Sequence, residues 1–226
     1  MFRRTLASRL PCLLAVLAVA AGAPAGAQPA PPVATQDYRL LAVPQPTATG
    51  PGKIEVLEFF SYGCPHCNEF YPLLNAWLIK QPKDVVLRRE ALSLGREAWV
   101  NLARAYYALK VTGDLPKLDA ALFHALHEEH LPLFDEQHLA EWVGKHGGDA
   151  GNFTAAYVSF GVNNQTVQAD AMAQTYTVEG IPALIIDGRY LVLGDSHEQM
   201  LANADKAIAA VRSAAKARTP RADKAK

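Results

Sequence analysis

Cysteine is scarce in this chain: 226 residues hold three, at Cys12, Cys64 and Cys67. A secreted scaffold stapled by disulfides would carry several well-spaced cysteines. A structural zinc site wants about four Cys or His ligands, and no second Cys-x-x-Cys pair supplies them. There is no basic surplus either, because 22 Lys and Arg balance 22 Asp and Glu. That balance argues against a nucleic-acid surface. No internal repeat is visible, and the apolar run PCLLAVLAVAAGA is too short for a comfortable membrane span.

What is present begins with that run. It follows MFRRTLASRL, with three arginines and no acid, and leads to small residues at Ala25 and Ala27. A basic start, a short apolar stretch and an A-x-A site read as a secretory signal cleaved after Ala27. Cleavage would remove Cys12 and leave 199 residues with 19 basic and 22 acidic groups, a formal charge of −3. Seven of those bases lie from Lys206 onward against one acid, Asp223, so KARTPRADKAK reads as a solvated end. The composition, 50% hydrophobic and 19% charged, is that of one globular domain or a domain with an insertion.

The pattern of elements is legible along the chain. QPAPPVATQ is a proline-rich leader. IEVLEFFSY, residues 54–62, reads as a buried strand with one acid, Glu58, inside it. Pro65 suits the first turn of a helix running through NEFYPLLNAWLIK, with Pro72 as a kink point. VVLRREALS, 85–93, is the next strand, which makes a βαβ unit with parallel strands. Residues 97–176 are helical, with apolar positions at three- and four-residue spacing. GIPALIIDGRYLVLG returns to strand character around an Asp187-Gly188 hairpin turn, and a last helix runs from Ser196 to about Ala217.

The surviving cysteine pair, in SYGCPHCNEF, sits where the first strand gives way to its helix. At the helix start, free backbone N–H groups and the helix dipole favour an anion, so the Cys64 thiolate should be stabilised. His66 adds a ring N–H or a positive charge. Cys67, one turn further in, should stay protonated. Cys64 is then the attacking and attacked sulfur and Cys67 the resolving one, and a stabilised thiolate favours giving disulfides away over reducing them. Two more features bear on the site. Ile181-Pro182 can form a cis turn that leaves the Ile181 backbone free to pair with an extended substrate, or it can be an ordinary trans proline opening a strand. Glu58, if buried, has a raised pKa and can pass a proton to or from Cys67; at an edge it would be a plain solvated carboxylate. A metal reading competes: Cys64, Cys67 and His66 can take a soft cation. His124, His127 and His130 stand at three-residue steps on a helix, where neighbours share a face and the outer two do not.

VLEFFSYGCPHC, the long helical stretch and GIPALIIDGRY together resemble the DsbA family of bacterial periplasmic thiol oxidases over roughly residues 35–215. The resemblance implies a thioredoxin fold, a central mixed β-sheet flanked by helices, with an inserted all-helical domain. Its division would be a signal at 1–27, a first part of the thioredoxin domain at 28–95, the helical insertion at 96–165, and a second part with the basic tail at 166–226. It implies Cys64, Pro65, His66 and Cys67 as the redox site, Glu58 as a buried acid, and a cis bond before Pro182 with Ile181 and Pro182 facing substrate. It implies no cofactor and no metal. The partners would be reduced exported proteins and, for reoxidation, a DsbB-like quinone-linked membrane oxidase. A dimeric isomerase resembling this fold would need an N-terminal dimerisation domain, and about 25 residues before the first clear strand leave no room for one. A periplasmic monomer is therefore expected. One position departs from the family: Tyr71 stands where relatives often carry a second acid, with Glu69 nearby.

Overall fold

The computed structural model describes residues 35–218. The expected signal segment and the last eight residues of the basic tail lie outside that range. Five strands form one sheet in the order β1-β5-β4-β2-β3, with β1 at Tyr38–Leu40, β2 at Ile54–Phe60, β3 at Val85–Ala91, β4 at Ala183–Ile186 and β5 at Tyr190–Val192. β2 and β3 run parallel, joined by helix α1 (Pro65–Ile79), and every other pairing is antiparallel. This is the thioredoxin-like mixed sheet that the resemblance implied. β1 was not expected. It is three half-buried residues at the sheet edge, held in register by β5, and so short a strand has no hydrophobic pattern of its own to read.

All seven residues of β2 are buried, because β3 and β4 flank it and helices cover both faces. Alternation along a strand divides its side chains. Ile54 and Val56 join Leu184, Ile186, Phe70 and Leu74 beneath α1 and α7 (His197–Arg218). Leu57 and Phe59 join Ala183 and Ile185 in the larger core that continues into the helical part. Glu58 falls in step with Ile54 and Val56, on the face that α1 covers.

Between β3 and β4 stand α2 (Glu97–Thr112), α3 (Leu115–His127), α4 (Glu136–Lys145), α5 (Ala150–Tyr157) and α6 (Phe160–Thr175). Local chemistry sets their limits. The side chains of Asp135, Asp149 and Ser159 accept the backbone N–H groups of His138, Asn152 and Val162 and so cap α4, α5 and α6. Residue 165, the expected domain boundary, falls inside α6, one continuous helix. α3 stops sooner than FHALHEEH suggested. His130 takes a left-handed φ of 54°, and Leu131 N–H reaches back to the Ala125 carbonyl at 2.9 Å, so the chain turns off the helix there. His130 is therefore off the helix, and the three histidines do not form a ladder on it.

The Asp187-Gly188 turn is present, with φ of 52° and 62° at its two residues. It leaves no room for a side chain at Gly188: a Cβ there would lie 2.1 Å from the Gln45 carbonyl oxygen.

Candidate active site

Cys64 is the N-cap of α1, with extended backbone (φ −93°, ψ 116°), and Pro65 opens the first turn. Its carbonyl accepts the N–H groups of Cys67 and Asn68, both at 3.1 Å, so the helix begins on it. Both cysteines are free thiols and both are buried, Cys64 at 6% exposure and Cys67 at 0%. Their acidities part in opposite directions. A hydrogen bond from the Cys67 thiol, backbone N–H groups of Cys67 and His66, and the charge of His66 outweigh burial and lower the Cys64 pKa to about 6. Burial, then the sulfur and charge of Cys64, push Cys67 far above the ordinary thiol range, and the charge of Glu58 adds to the effect.

The Ile181–Pro182 bond is cis. The Ile181 carbonyl faces Cys64 and accepts its thiol hydrogen at 3.7 Å, so β4 starts against the Cys64 sulfur. Beside them opens a groove of about 860 Å³ that includes His66, Ile181, Pro182, Leu193 and Met200. Trp99, at the start of α2, lies against Gly63, where a Cβ would meet its indole nitrogen at 2.3 Å. That contact explains the glycine just before Cys64.

Glu58 is fully buried in an interior strand, not at an edge, and burial raises its pKa. It is not alone there. Arg89, its cross-strand neighbour in β3, donates to Glu58 Oε2 at 2.5 Å and to Asp119 Oδ2 of α3 at 2.6 Å. The Tyr62 hydroxyl donates to Asp119 Oδ1 at 2.5 Å. The Arg89 guanidinium also lies 3.9 Å over the Phe60 ring and 5.0 Å from that of Tyr71. Arg89, Asp119 and Tyr62 are not among the residues that stand out in the sequence. One signal was available: Glu55 and Glu58 in one strand are opposite in charge to Arg88 and Arg89 in the next, and parallel pairing sets Glu58 beside Arg89 while Glu55 meets Arg88 diagonally.

Glu69 does not enter this cluster. It is exposed and pairs with the exposed His66 at 3.3 Å. His66, Glu69 and His197 bring three ligand atoms within 4.8 Å of one another. Among the described residues this is the one such group, and it holds neither cysteine nor any α3 histidine. Of those, His127 bonds the Tyr62 carbonyl at 2.7 Å and His124 pairs with Glu129 at 2.9 Å.

Comparison with known proteins agrees with this geometry. A family model described as "DSBA-like thioredoxin domain" matches residues 55–205. A protein of Burkholderia cepacia named thiol:disulfide interchange protein DsbA is 35% identical over 181 residues, 80% of this chain and 84% of its own. Its namesake from Pseudomonas aeruginosa is 35% identical over 208 residues, covering 90% and 97%. The crystal structure of Pseudomonas aeruginosa DsbA superposes with a TM-score of 0.74 at 34% identity, covering 80% of this chain and 95% of its own. The oxidoreductase DsbA from Xylella fastidiosa gives 0.75 at 33%, covering 80% and 98%.

Proposed function

The chain belongs to the DsbA-like thioredoxin family and is a thiol:disulfide oxidoreductase, and from that premise we propose that it is the donor of disulfides to reduced exported proteins, with Cys64 as the exchanging sulfur. The observation that carries this is the contrast between the two sulfurs: one at the helix start beside the cis turn with its acidity raised, the other enclosed and held as a thiol.

In the oxidised form, a client thiolate attacks Cys64 Sγ. The Cys64–Cys67 bond breaks, and Cys67 leaves with the electron pair and takes up a proton. Glu58, the buried acid on the same face, is the group we assign to supply it. A second client thiolate then attacks the client's own sulfur in the mixed disulfide. The client keeps the new S–S bond, and Cys64 departs as the thiolate that the helix start stabilises. Two electrons have moved to the protein. The cis turn leaves the Ile181 backbone beside the exchanging sulfur, where an extended client segment can pair with it.

Reoxidation falls to a membrane oxidase of the DsbB type that passes these electrons to quinone. The leader and the lone redox pair support export to the periplasm. Among the described residues no helix is long and apolar enough to cross a membrane. We divide the chain as the sequence suggested, into a two-part thioredoxin domain and a helical insertion, and take it as a monomer.

Two measurements test this. Equilibrium with glutathione should leave the pair largely reduced even in oxidising mixtures, and a pair that stays oxidised in reducing mixtures would make the protein a reductase. With oxidised glutathione supplied as the two-electron oxidant, Cys67→Ser should accumulate mixed disulfides between Cys64 and client thiols, whereas Cys64→Ser should accumulate none. Trapping through Cys67 would reverse the assigned roles.

A further inference from the structure

Behind the cysteines a line of contacts crosses from the sheet to the helical insertion. Glu58 on β2, Arg89 on β3 and Asp119 on α3 are joined through 2.5 and 2.6 Å bonds, and Tyr62 closes the far end. One buried cation thus serves two carboxyls, Glu58 at 0% and Asp119 at 9% exposure. They are not served equally. Both oxygens of Asp119 accept hydrogen bonds, one of them charge-assisted. Glu58 engages only Oε2, and its Oε1 is buried with no partner, as is Arg89 Nη2. Two carboxylates around one cation, out of water, cannot both ionise cheaply. Glu58, with one oxygen unserved, is the carboxyl on which burial favours the proton.

We propose that Asp119 is a positioning residue for thiol exchange: it holds Arg89 from the helical side and so leaves Glu58 as the carboxyl that carries the proton beneath Cys67. The helical insertion then sets the acidity at which the buried sulfur is served, although it touches neither cysteine through this residue. The inference rests on Glu58 as the proton partner of Cys67. When Cys67 leaves, its sulfur takes the Glu58 proton, and the resulting carboxylate sits against Arg89 until solvent reprotonates it. The titratable groups that act on Glu58 or on its Arg89–Asp119 partners are Cys67 and Tyr71 from α1, Arg89 from β3, Tyr62 after β2, Tyr106 from α2 and Asp119 from α3. Burial holds all three tyrosines above their ordinary range and therefore neutral. Arg89 and Asp119 are the charges that act on it.

The test is the pH dependence of the rate at which dithiothreitol reduces the oxidised protein, from acid to neutral pH. It should be measured for wild type, Glu58→Gln, Asp119→Asn and Asp119→Glu, each with a melting curve. Glu58→Gln should lose the limb of the profile that reports the carboxyl. Asp119→Asn should keep that limb but move it down by about one and a half to two pH units, the size expected from removing one like charge roughly 6–8 Å away at an effective dielectric of ~20. Asp119→Glu should restore it. A merely structural Asp119 would lower the melting temperature and leave the midpoint in place. An unmoved midpoint with the Glu58 limb intact overturns the proposal alone, and an unchanged profile in Glu58→Gln overturns the proton role of Glu58 as well. Should Asp119→Asn fail to fold, carboxyl infrared bands of the wild type decide. A proton found on Asp119 in place of Glu58 ends the proposal.

Discussion

At the scale of single residues, Cys64 owes its acidity more to its neighbour sulfur than to the histidine between them. The Cys67 hydrogen bond is the largest influence lowering its pKa, and the charge of His66 is the smallest of those identified. Replacing Cys67 by alanine should therefore raise the Cys64 midpoint from about 6 toward the free value of ~8.5. Replacing His66 by leucine should raise it less, and Cys67→Ser, which keeps a donor, should fall between wild type and alanine. Thiolate absorbance against pH would order the variants, and a larger shift in His66→Leu than in Cys67→Ala would refute this ranking. A helix start under Cys64 and a ring beside it at His66 are both visible in a line of text. A thiol donating to a thiolate one turn back depends on rotamers, which the line of text does not carry. For the same reason Glu58 was legible as an oddity in an apolar strand, but its fate was not. Burial in a middle strand and the partnership with Arg89 and Asp119 join residues 31 and 61 positions away.

At the scale of elements, the β4–β5 hairpin turns on Gly188. A Cβ there would carry the cost of a left-handed backbone, about 1–2 kcal/mol, and would also strike the Gln45 carbonyl. Gly188→Ala should lower the melting temperature by more than about 4 °C, at roughly 2–4 °C per kcal/mol for a chain of this size. Gly50→Ala, where no atom lies within 4 Å of the added Cβ, is the control, and equal melting of the two variants would show that the Gln45 approach does not constrain the turn. This hairpin could be read from Asp-Gly between two apolar runs, as the βαβ unit could from its pattern. β1 could not, since its pairing depends on a strand some 150 residues away. The break between α5 and α6 was hidden too, because Ser159 caps the second helix and the nearby glycine, Gly161, falls inside that helix and not between the two.

At the scale of the whole molecule, the oxidation state should govern stability in an unusual direction. A disulfide between residues three apart removes little entropy from the unfolded chain. The reduced form gains the Cys64 thiolate instead, whose folded pKa of about 6 lies below the unfolded value of ~8.5. That contribution is complete above the unfolded value, shrinks as pH falls, and is gone below the folded one. Reduced protein should melt above oxidised protein at pH ~8, and the difference should vanish near pH ~5. An oxidised form that melts higher at pH ~8 would contradict an oxidase and fit a structural or reducing pair.

The strand order has one more consequence, for the moment of biosynthesis. A chain grows from its N-terminus, so Cys64 and Cys67 leave the ribosome together with β2 and β3. Yet β2 is a middle strand whose other neighbour is β4, and five helices are translated before β4 exists. Until then the nascent chain displays both sulfurs beside an open strand edge, without the Ile181 carbonyl and without half of the groove. Catalytic competence therefore arrives late and in a single step, and a chain cut short after α6 would hold the whole Cys-Pro-His-Cys sequence and no working site.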